Sequence, residues 1–231
     1  MALNMMKKLI LPILLVTTAL GTAVGTAVAQ SSKTAMGQIS AKTQYAAPFT
    51  DPANVRADLA RIDASMNATT TFQGDFTQVA PDGVVSNGRI WLQRPGKVRF
   101  EYNEPNPLLI VSDGVTLVQN DRQLETFDRV PLSATPLNYF LKENINLAED
   151  TEVTALQKYP GQWIVTARDG SGEQEGTMTL VFDSETLALQ TWIIADDFGG
   201  ATRVQLSNLQ YNGRIDPRKF VLREDSNRRG R

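Results

Sequence analysis

Val55, Leu59, Ile62 and Met66 recur at spacings of four, three and four, which gathers them into one apolar stripe on a helix. Asp51-Pro52 supplies a capping residue followed by proline at the first helical position, so the helix is expected from Pro52 to about Asn67, with Arg56, Asp58, Arg61 and Asp63 on its other faces. After Thr69 the period falls to two and β-branched and aromatic residues take over, as in half-buried strands. The expected strands are Thr71 to Val79, Val84 to Gln93, Val98 to Tyr102, Leu108 to Ser112, Val115 to Gln119 and Gln123 to Phe127, then Glu152 to Lys158, Gln162 to Arg168, Thr177 to Phe182, Ala188 to Ala195, Arg203 to Tyr211 and Phe220 to Arg223. Turn pairs such as Asp82-Gly83, Asp113-Gly114, Asn120-Asp121, Pro160-Gly161 and Asn212-Gly213 separate many of them. Consecutive hairpins make consecutive antiparallel neighbours, and a meander this long must curl, close or be covered to protect its faces and edges.

The strand pattern breaks between Phe127 and Glu152. There Thr135 can cap a short helix with Pro136 at its first position, and Leu137, Phe140 and Leu141 share one face of it. An apolar helix inserted in mid-sheet serves equally well as a lid or as a crossover that fills one face.

Strand parity singles out one charge. Ile90, Leu92 and Arg94 point one way while Arg89, Trp91 and Gln93 point the other. Beyond the Pro95-Gly96 turn, Val98, Phe100 and Tyr102 share a face; if the hairpin keeps phase, Ile90, Leu92, Val98 and Phe100 form the inner surface, with Arg94 at its rim. A guanidinium there needs acceptors, because an unpaired buried charge is strongly unfavourable, and carbonyls at the end of a nearby lid helix can supply them. Alternatively, Arg94 is a solvated strand-end residue whose stem covers apolar surface.

Composition narrows the function. Lys7 and Lys8 precede an apolar run from Leu9 to Val16, and Ala27-Val28-Ala29 ends the segment before Gln30, so residues 1–29 read as a secretory signal peptide. The run is shorter than the roughly 20 apolar residues that span a bilayer. Residues 30–50 are rich in Ser, Ala, Thr and Gln without a period and read as a flexible leader, leaving 51–231 as one domain. Without the signal the chain has 21 basic and 25 acidic side chains, a mild net charge of −4 that argues against nucleic acid as a partner. The chain has neither cysteine nor histidine, which removes disulfides, thiolate zinc sites, a thiol-linked lipid anchor and serine–histidine or cysteine–histidine catalysis. No cofactor is expected.

The remaining candidates for chemistry have structural readings. Asp75, Asp113, Asp196 and Asp197 could contain a glycosidase pair, but Asp113 precedes Gly114 and Asp196-Asp197 precedes Phe198-Gly199-Gly200, so turns account for them. Gly170 to Gly176 lacks the spacing and the lysine of a phosphate loop. Asn67-Ala68-Thr69 is a formal glycosylation sequon in an exported bacterial-type chain, and Arg228 to Arg231 reads as a solvated tail.

Taken in order, a helix before Phe72-Gln73-Gly74-Asp75-Phe76-Thr77-Gln78, then Gly88-Arg89-Ile90-Trp91-Leu92, Arg94-Pro95-Gly96, Pro105, Ile110-Val111-Ser112-Asp113-Gly114, Thr135-Pro136-Leu137, Asn212-Gly213 and Lys219-Phe220 resemble the LolA family of periplasmic lipoprotein carriers. The resemblance runs from about Val55 to Phe220. It implies a mainly β fold, an incomplete antiparallel β-barrel or strongly curved sheet with an N-terminal helix and short lid helices over a concave apolar cavity. It implies a carrier and not an enzyme, one that shields the acyl chains of lipoproteins between an inner-membrane lipoprotein-releasing transporter and an outer-membrane receptor, as a soluble periplasmic monomer. Arg94 matches the family's Arg-Pro arginine, which holds the lid through hydrogen bonds to its backbone. The cavity is expected to be lined by Ile90, Leu92, Val98, Phe100, Leu109, Val111, Leu137, Phe140 and Leu141. The large aromatic that the family places shortly after the motif is here Val98, with Phe100 beyond it. Lipid-binding and envelope-sensing proteins share the scaffold, so a sensing or lipid-binding module is the alternative.

Overall fold

Alternating side chains on short, turn-linked segments produce strands buried on one face. β1 (Thr71–Val79) shows this most regularly, with Phe72, Gly74, Phe76 and Gln78 buried and the residues between them half-buried. The computed structural model describes residues 54–170 and 176–222. The expected signal peptide, leader, Asp51-Pro52 cap, most of the Gly170 to Gly176 loop and the arginine-rich tail lie outside the described residues.

The strands after β1 are β2 (Val85–Gln93), β3 (Lys97–Tyr102), β4 (Leu108–Asp113), β5 (Thr116–Asp121), β6 (Thr126–Pro131), β7 (Thr151–Tyr159), β8 (Gln162–Asp169), β9 (Thr177–Asp183), β10 (Leu189–Ala195) and β11 (Ala201–Tyr211). They form one antiparallel sheet in the order β6-β5-β4-β3-β2-β1-β11-β10-β9-β8-β7. First and last strands meet in the middle, and β6 and β7 are the two free edges, so the sheet does not close. Phe100 on β3 and Trp192 on β10 show how far it curls. Four strand spacings separate them, roughly 19 Å on a flat sheet, yet their ring centroids are 6.1 Å apart.

Two backbone approaches permit the curl. A side chain at Gly88 would meet the Glu101 carbonyl at 2.2 Å and the Phe76 ring at 2.7 Å, so its absence lets that ring lie across β2. Gly96 has φ +73°, and a Cβ there would lie 2.5 Å from the Gly114 backbone, which makes glycine necessary where the β2–β3 and β4–β5 turns touch.

α1 (Val55–Ala68) buries Leu59, Ile62 and Met66 as its period requires. Its polar face is tied down as well. Lys158 reaches Asp58 at 2.6 Å, and Lys158 and Arg61 both lie over the Trp163 ring, at 4.7 and 4.8 Å. The interruption holds a short turn at Leu132–Ala134, α2 (Asn138–Leu141) and α3 (Leu147–Asp150). α3 was not expected from the sequence. Asn67, the sequon residue, clasps the Ile145 backbone with a bond in each direction, 2.9 and 2.8 Å, and Asp63 accepts from the Leu147 N–H, so α1 and this segment are joined. Burial raises the Asp63 pKa, and the Leu147 N–H partly offsets that.

Three local expectations are corrected. The turn expected at Asn120-Asp121 falls at 122–125, because the Asp121 carboxylate accepts from the Gln123 and Leu124 N–H groups and so starts the turn; β6 shifts to Thr126–Pro131. Phe220 does not begin a strand. Asp216 accepts from the Arg218 N–H ahead of Pro217, which winds Pro217–Phe220 into a short 3-10 turn. The Thr135 hydroxyl does not cap α2, since it donates back to the Leu132 carbonyl at 2.8 Å.

Candidate functional site

Register defines the concave face. Ile90 pairs with Phe100, Leu92 with Val98 and with Phe72, and Phe76 with Gly88, so these side chains share one side of the sheet. Val204, Leu206, Trp192, Leu180, Met178, Val165 and Ala167 continue it through β11, β10, β9 and β8. Its centre is aromatic, with Phe76 edge-on to Phe100 and Tyr102 at 5.3 and 5.0 Å. Tyr102 is buried, and its hydroxyl donates to Gln78 Oε1 at 2.7 Å.

The lid comes from α1 and the interruption. Phe140 projects onto the sheet with its ring 5.7 Å from that of Trp192. Leu141 is 1% exposed, as are Ile90 and Val98 opposite. Leu137, at the start of α2, is only half-buried. Of the expected lining, Ile90, Leu92, Val98 and Phe100 lie on this face and Phe140 and Leu141 pack beneath the lid. Leu109 and Val111 do not belong to it. Leu109 pairs with Glu101 and Val111 with Arg99, which puts both on the convex side; the inward residues of β4 are Leu108, Ile110 and Ser112. Phe140 and Leu141 of the lid are themselves buried, and Phe140 lies against Trp192 of the concave face.

Arg94 stands where its parity places it, at the end of the Ile90–Leu92 stripe. Its Nε donates to the Phe140 carbonyl at 2.8 Å and its Nη1 to the carbonyls of Thr69, at 2.6 Å, and Met66. The last two lie at the C-terminal end of α1 and the first in α2, so one guanidinium ties both helices to the strand. Both ends present carbonyls that lack intrahelical partners and carry partial negative charge. Burial pulls the Arg94 pKa down to about 10, so desolvation opposes these contacts without removing the charge at neutral pH. The adjoining Gly96 N–H donates to the Leu141 carbonyl at 2.7 Å. The α1 carbonyls were missed from sequence, because nothing local shows that a helix 25 residues upstream ends beside this turn.

Three of the four carboxylates set aside earlier, Asp75, Asp113 and Asp196, have structural partners. Asp113 accepts from the Val115 and Thr116 N–H groups, which hold its pKa below the usual range. Asp196 accepts from the Phe198 and Gly200 N–H groups of its own turn, and Asp75 accepts from Asn208 and lies near Arg89. Among the described residues, no cluster of three or more acidic, His or Cys side chains is arranged to hold a metal ion, and no helix is long and apolar enough to cross a membrane.

The sequence model of the family described as outer membrane lipoprotein carrier protein LolA matches residues 67–223, from the end of α1 to just past the C-terminal turn. The chain belongs to the LolA family. Its relatives in that family include the outer-membrane lipoprotein carrier protein of Alkalilimnicola ehrlichii, 32% identical over 182 residues, covering 74% of this chain and 80% of that one. That of Chromohalobacter salexigens is 28% identical over 180 residues, covering 70% and 80%. A solved MucA/MucB complex of Pseudomonas aeruginosa is similar at TM-score 0.42 and 16% identity, over 72% of this chain and 60% of that one, a likeness too distant to bear on function. The LolA match contains the whole concave face, Arg94 and α2.

Proposed function

We propose that this chain carries lipoproteins, sheltering their acyl chains between the concave face and the lid, and that it does so without chemistry. In this reading the protein is exported, loses residues 1–29, and works in the periplasm as a monomer. It takes cargo from an inner-membrane lipoprotein-releasing transporter and yields it to an outer-membrane receptor. The observation that supports this best is the fastening of two helices over an apolar face by one charged side chain, Arg94, in a chain of the LolA family.

The magnitudes suit a carrier. Burying a methylene is worth about 0.8 kcal/mol, so a chain of about 16 carbons gains roughly 12 kcal/mol on leaving water. The three bonds of Arg94 to carbonyls are each worth about 1.5–3 kcal/mol as charge-assisted hydrogen bonds. Opening the lid breaks these bonds but also re-solvates the buried guanidinium, so its net cost is only about 1–2 kcal/mol, which trims the gain from one chain without cancelling it.

Native mass spectrometry of the protein recovered from the periplasm tests the reading. Bound triacylated protein is the expected result. Free lipid alone would favour a lipid-binding or sensing module on the same scaffold.

A further inference from the structure

The inward stripes of β1, β2 and β3 run side by side and change character at the same end of the sheet. Near Arg94 they are apolar, with Phe72 and Phe76 on β1, Leu92 and Ile90 on β2, and Val98 and Phe100 on β3. At the far end the last inward side chains are Gln78, Ser86 and Tyr102. Gln78 pairs with Ser86, and Tyr102 pairs with Gly88, the preceding inward position of β2. Thr71 pairs with Gln93, the residue before Arg94, and the strand from there to Gln78 is roughly 23 Å long. The concave face is therefore apolar beside the latch and polar at the opposite end.

Within that polar end, Gln78 has hydrogen-bonding capacity to spare. It is only 7% exposed. Its Oε1 accepts from the Tyr102 hydroxyl at 2.7 Å, which fixes the amide, while its nitrogen donates to nothing among the described residues. Burial pushes the Tyr102 pKa up, so the hydroxyl keeps its proton and goes on donating. Ser86 is already engaged, because its hydroxyl accepts from Asn106 Nδ2 at 3.0 Å. Buried polar groups are normally paired, and a donor left over on an apolar face is unfavourable until something accepts from it. An apolar residue at position 78 would cover the same strands without that cost. The spare group is a donor alone, so its complement is an oxygen that only accepts, as a carbonyl oxygen does.

We propose that the Gln78 amide, held in place by Tyr102, binds an ester carbonyl of the cargo's diacylglyceryl group. Acyl chains then lie along the concave face with their tails toward Arg94 and their polar head at Gln78. The proposal rests on the carrier reading above and adds the chemical group that is recognised and the direction in which cargo lies.

The test compares two dansyl-labelled triacylated peptides, one with its natural glyceryl esters and one with both esters replaced by ethers, which removes the carbonyl oxygens and keeps the chains. Fluorescence titration gives the Kd of each. Wild type is expected to bind the ester peptide roughly fivefold to tenfold more tightly, as one hydrogen bond to a buried donor allows. In the Gln78→Met, Tyr102→Phe double variant, which removes both partners at similar volume, the ratio is expected to fall to about one. A ratio taken within one protein is unaffected by partial loss of folded material. Equal binding of the two peptides by wild type, or an ester preference that survives in the double variant, overturns the site. So does an ester preference shown by a diester and diether phospholipid pair but not by the peptides, since the occupant would then be membrane lipid. Wild-type protein that binds neither peptide overturns the carrier reading itself, and the site falls with it.

Discussion

Strands β2 and β4 bury apolar side chains on both faces, yet the two faces serve different ends. Inward, Ile90, Leu92, Val98 and Phe100 meet a lid that is held by hydrogen bonds at its margins. Outward, Trp91, Leu109 and Val111 are equally buried, and the cover is the chain's own C-terminal segment, with Ile215 and Phe220 packed against Trp91. That segment is pinned by the Lys219 ammonium 3.9 Å from the Trp91 ring centre and by Arg99 donating to the Lys219 carbonyl. Burial therefore does not distinguish a ligand face from a structural one. What distinguishes them is the cover: on one side it is fastened by hydrogen bonds that include the Arg94 guanidinium, and on the other it is sealed by the cluster of Trp91, Ile215 and Phe220.

The largest effect should come from a charge on the inner face. Phe100→Glu places a carboxylate in the buried aromatic centre beside Phe76 and Trp192, and removes a ring in contact with both. A stability loss of about 4 kcal/mol is expected from the combined lost packing and unpaired charge, together with abolished uptake of acylated peptide. Leu137→Glu, at a half-buried lid position, should also abolish uptake but destabilise much less. Denaturant melts with parallel uptake assays separate the two, and an intact uptake in either variant removes that residue from the lining.

Next comes the outer face. Trp91→Ala should cost about 3–5 kcal/mol, as truncation of a buried large aromatic does, while uptake per folded molecule stays at the wild-type level. Loss of uptake in proportion to Phe100→Glu, after correction for the folded fraction, would mean that the two faces are not separable and that the comparison fails.

How much of this could be read in advance follows the same division. Period two and the turn pairs identified ten of the eleven strands to within a residue or two, with β6 displaced by three to four, and the inward parity of Ile90, Leu92 and Arg94 survived because a tight Pro95-Gly96 turn keeps phase across the hairpin. Leu109 and Val111 were misplaced because β4 is apolar on consecutive positions, Leu108 to Val111, so hydrophobicity carries no parity there and only pairing with Glu101 and Arg99 decides it. The Asp216-Pro217 signal for a capped turn was of the same kind as the one used at Asp51-Pro52, but the following Phe220-Val221-Leu222 drew a strand reading over it. Tyr139 and Asp169 were invisible as a pair, since nothing in a chain of single residues shows that a lid tyrosine reaches a strand end 30 positions away.

Arg94→Leu sharpens the comparison where the guanidinium fastens the lid. The variant loses three donors to the Phe140, Thr69 and Met66 carbonyls, but also loses a charge whose burial is unfavourable. Global stability should therefore fall by only about 1–2 kcal/mol, with the weakened closed state favouring the loaded form and slowing hand-over to an acceptor roughly tenfold. Transfer of labelled lipoprotein from purified carrier to receptor-bearing vesicles measures this. Hand-over at the wild-type rate would show that Arg94 braces the fold and does not govern release.

The smallest effect belongs to the outer cover and is read through pH. Asp216 starts the C-terminal turn by accepting from the Arg218 N–H and pairs with the Arg218 guanidinium at 2.6 Å, and these contacts, the side-chain one foremost, lower its pKa from 3.8 to about 2. A carboxyl with a depressed folded-state pKa binds fewer protons folded than unfolded, so its stabilising contribution is complete above 3.8 and is lost as the pH falls toward about 2. Asp216→Asn removes that contribution at every pH. The difference in Tm between wild type and variant should be small and constant near neutrality, then shrink across that acid window, while uptake of acylated peptide is unaffected throughout. A Tm difference that persists unchanged to pH 2 would show that the ionised carboxylate does not hold the turn, and would leave the outer cover fastened by the cluster around Trp91 with Lys219 and Arg99.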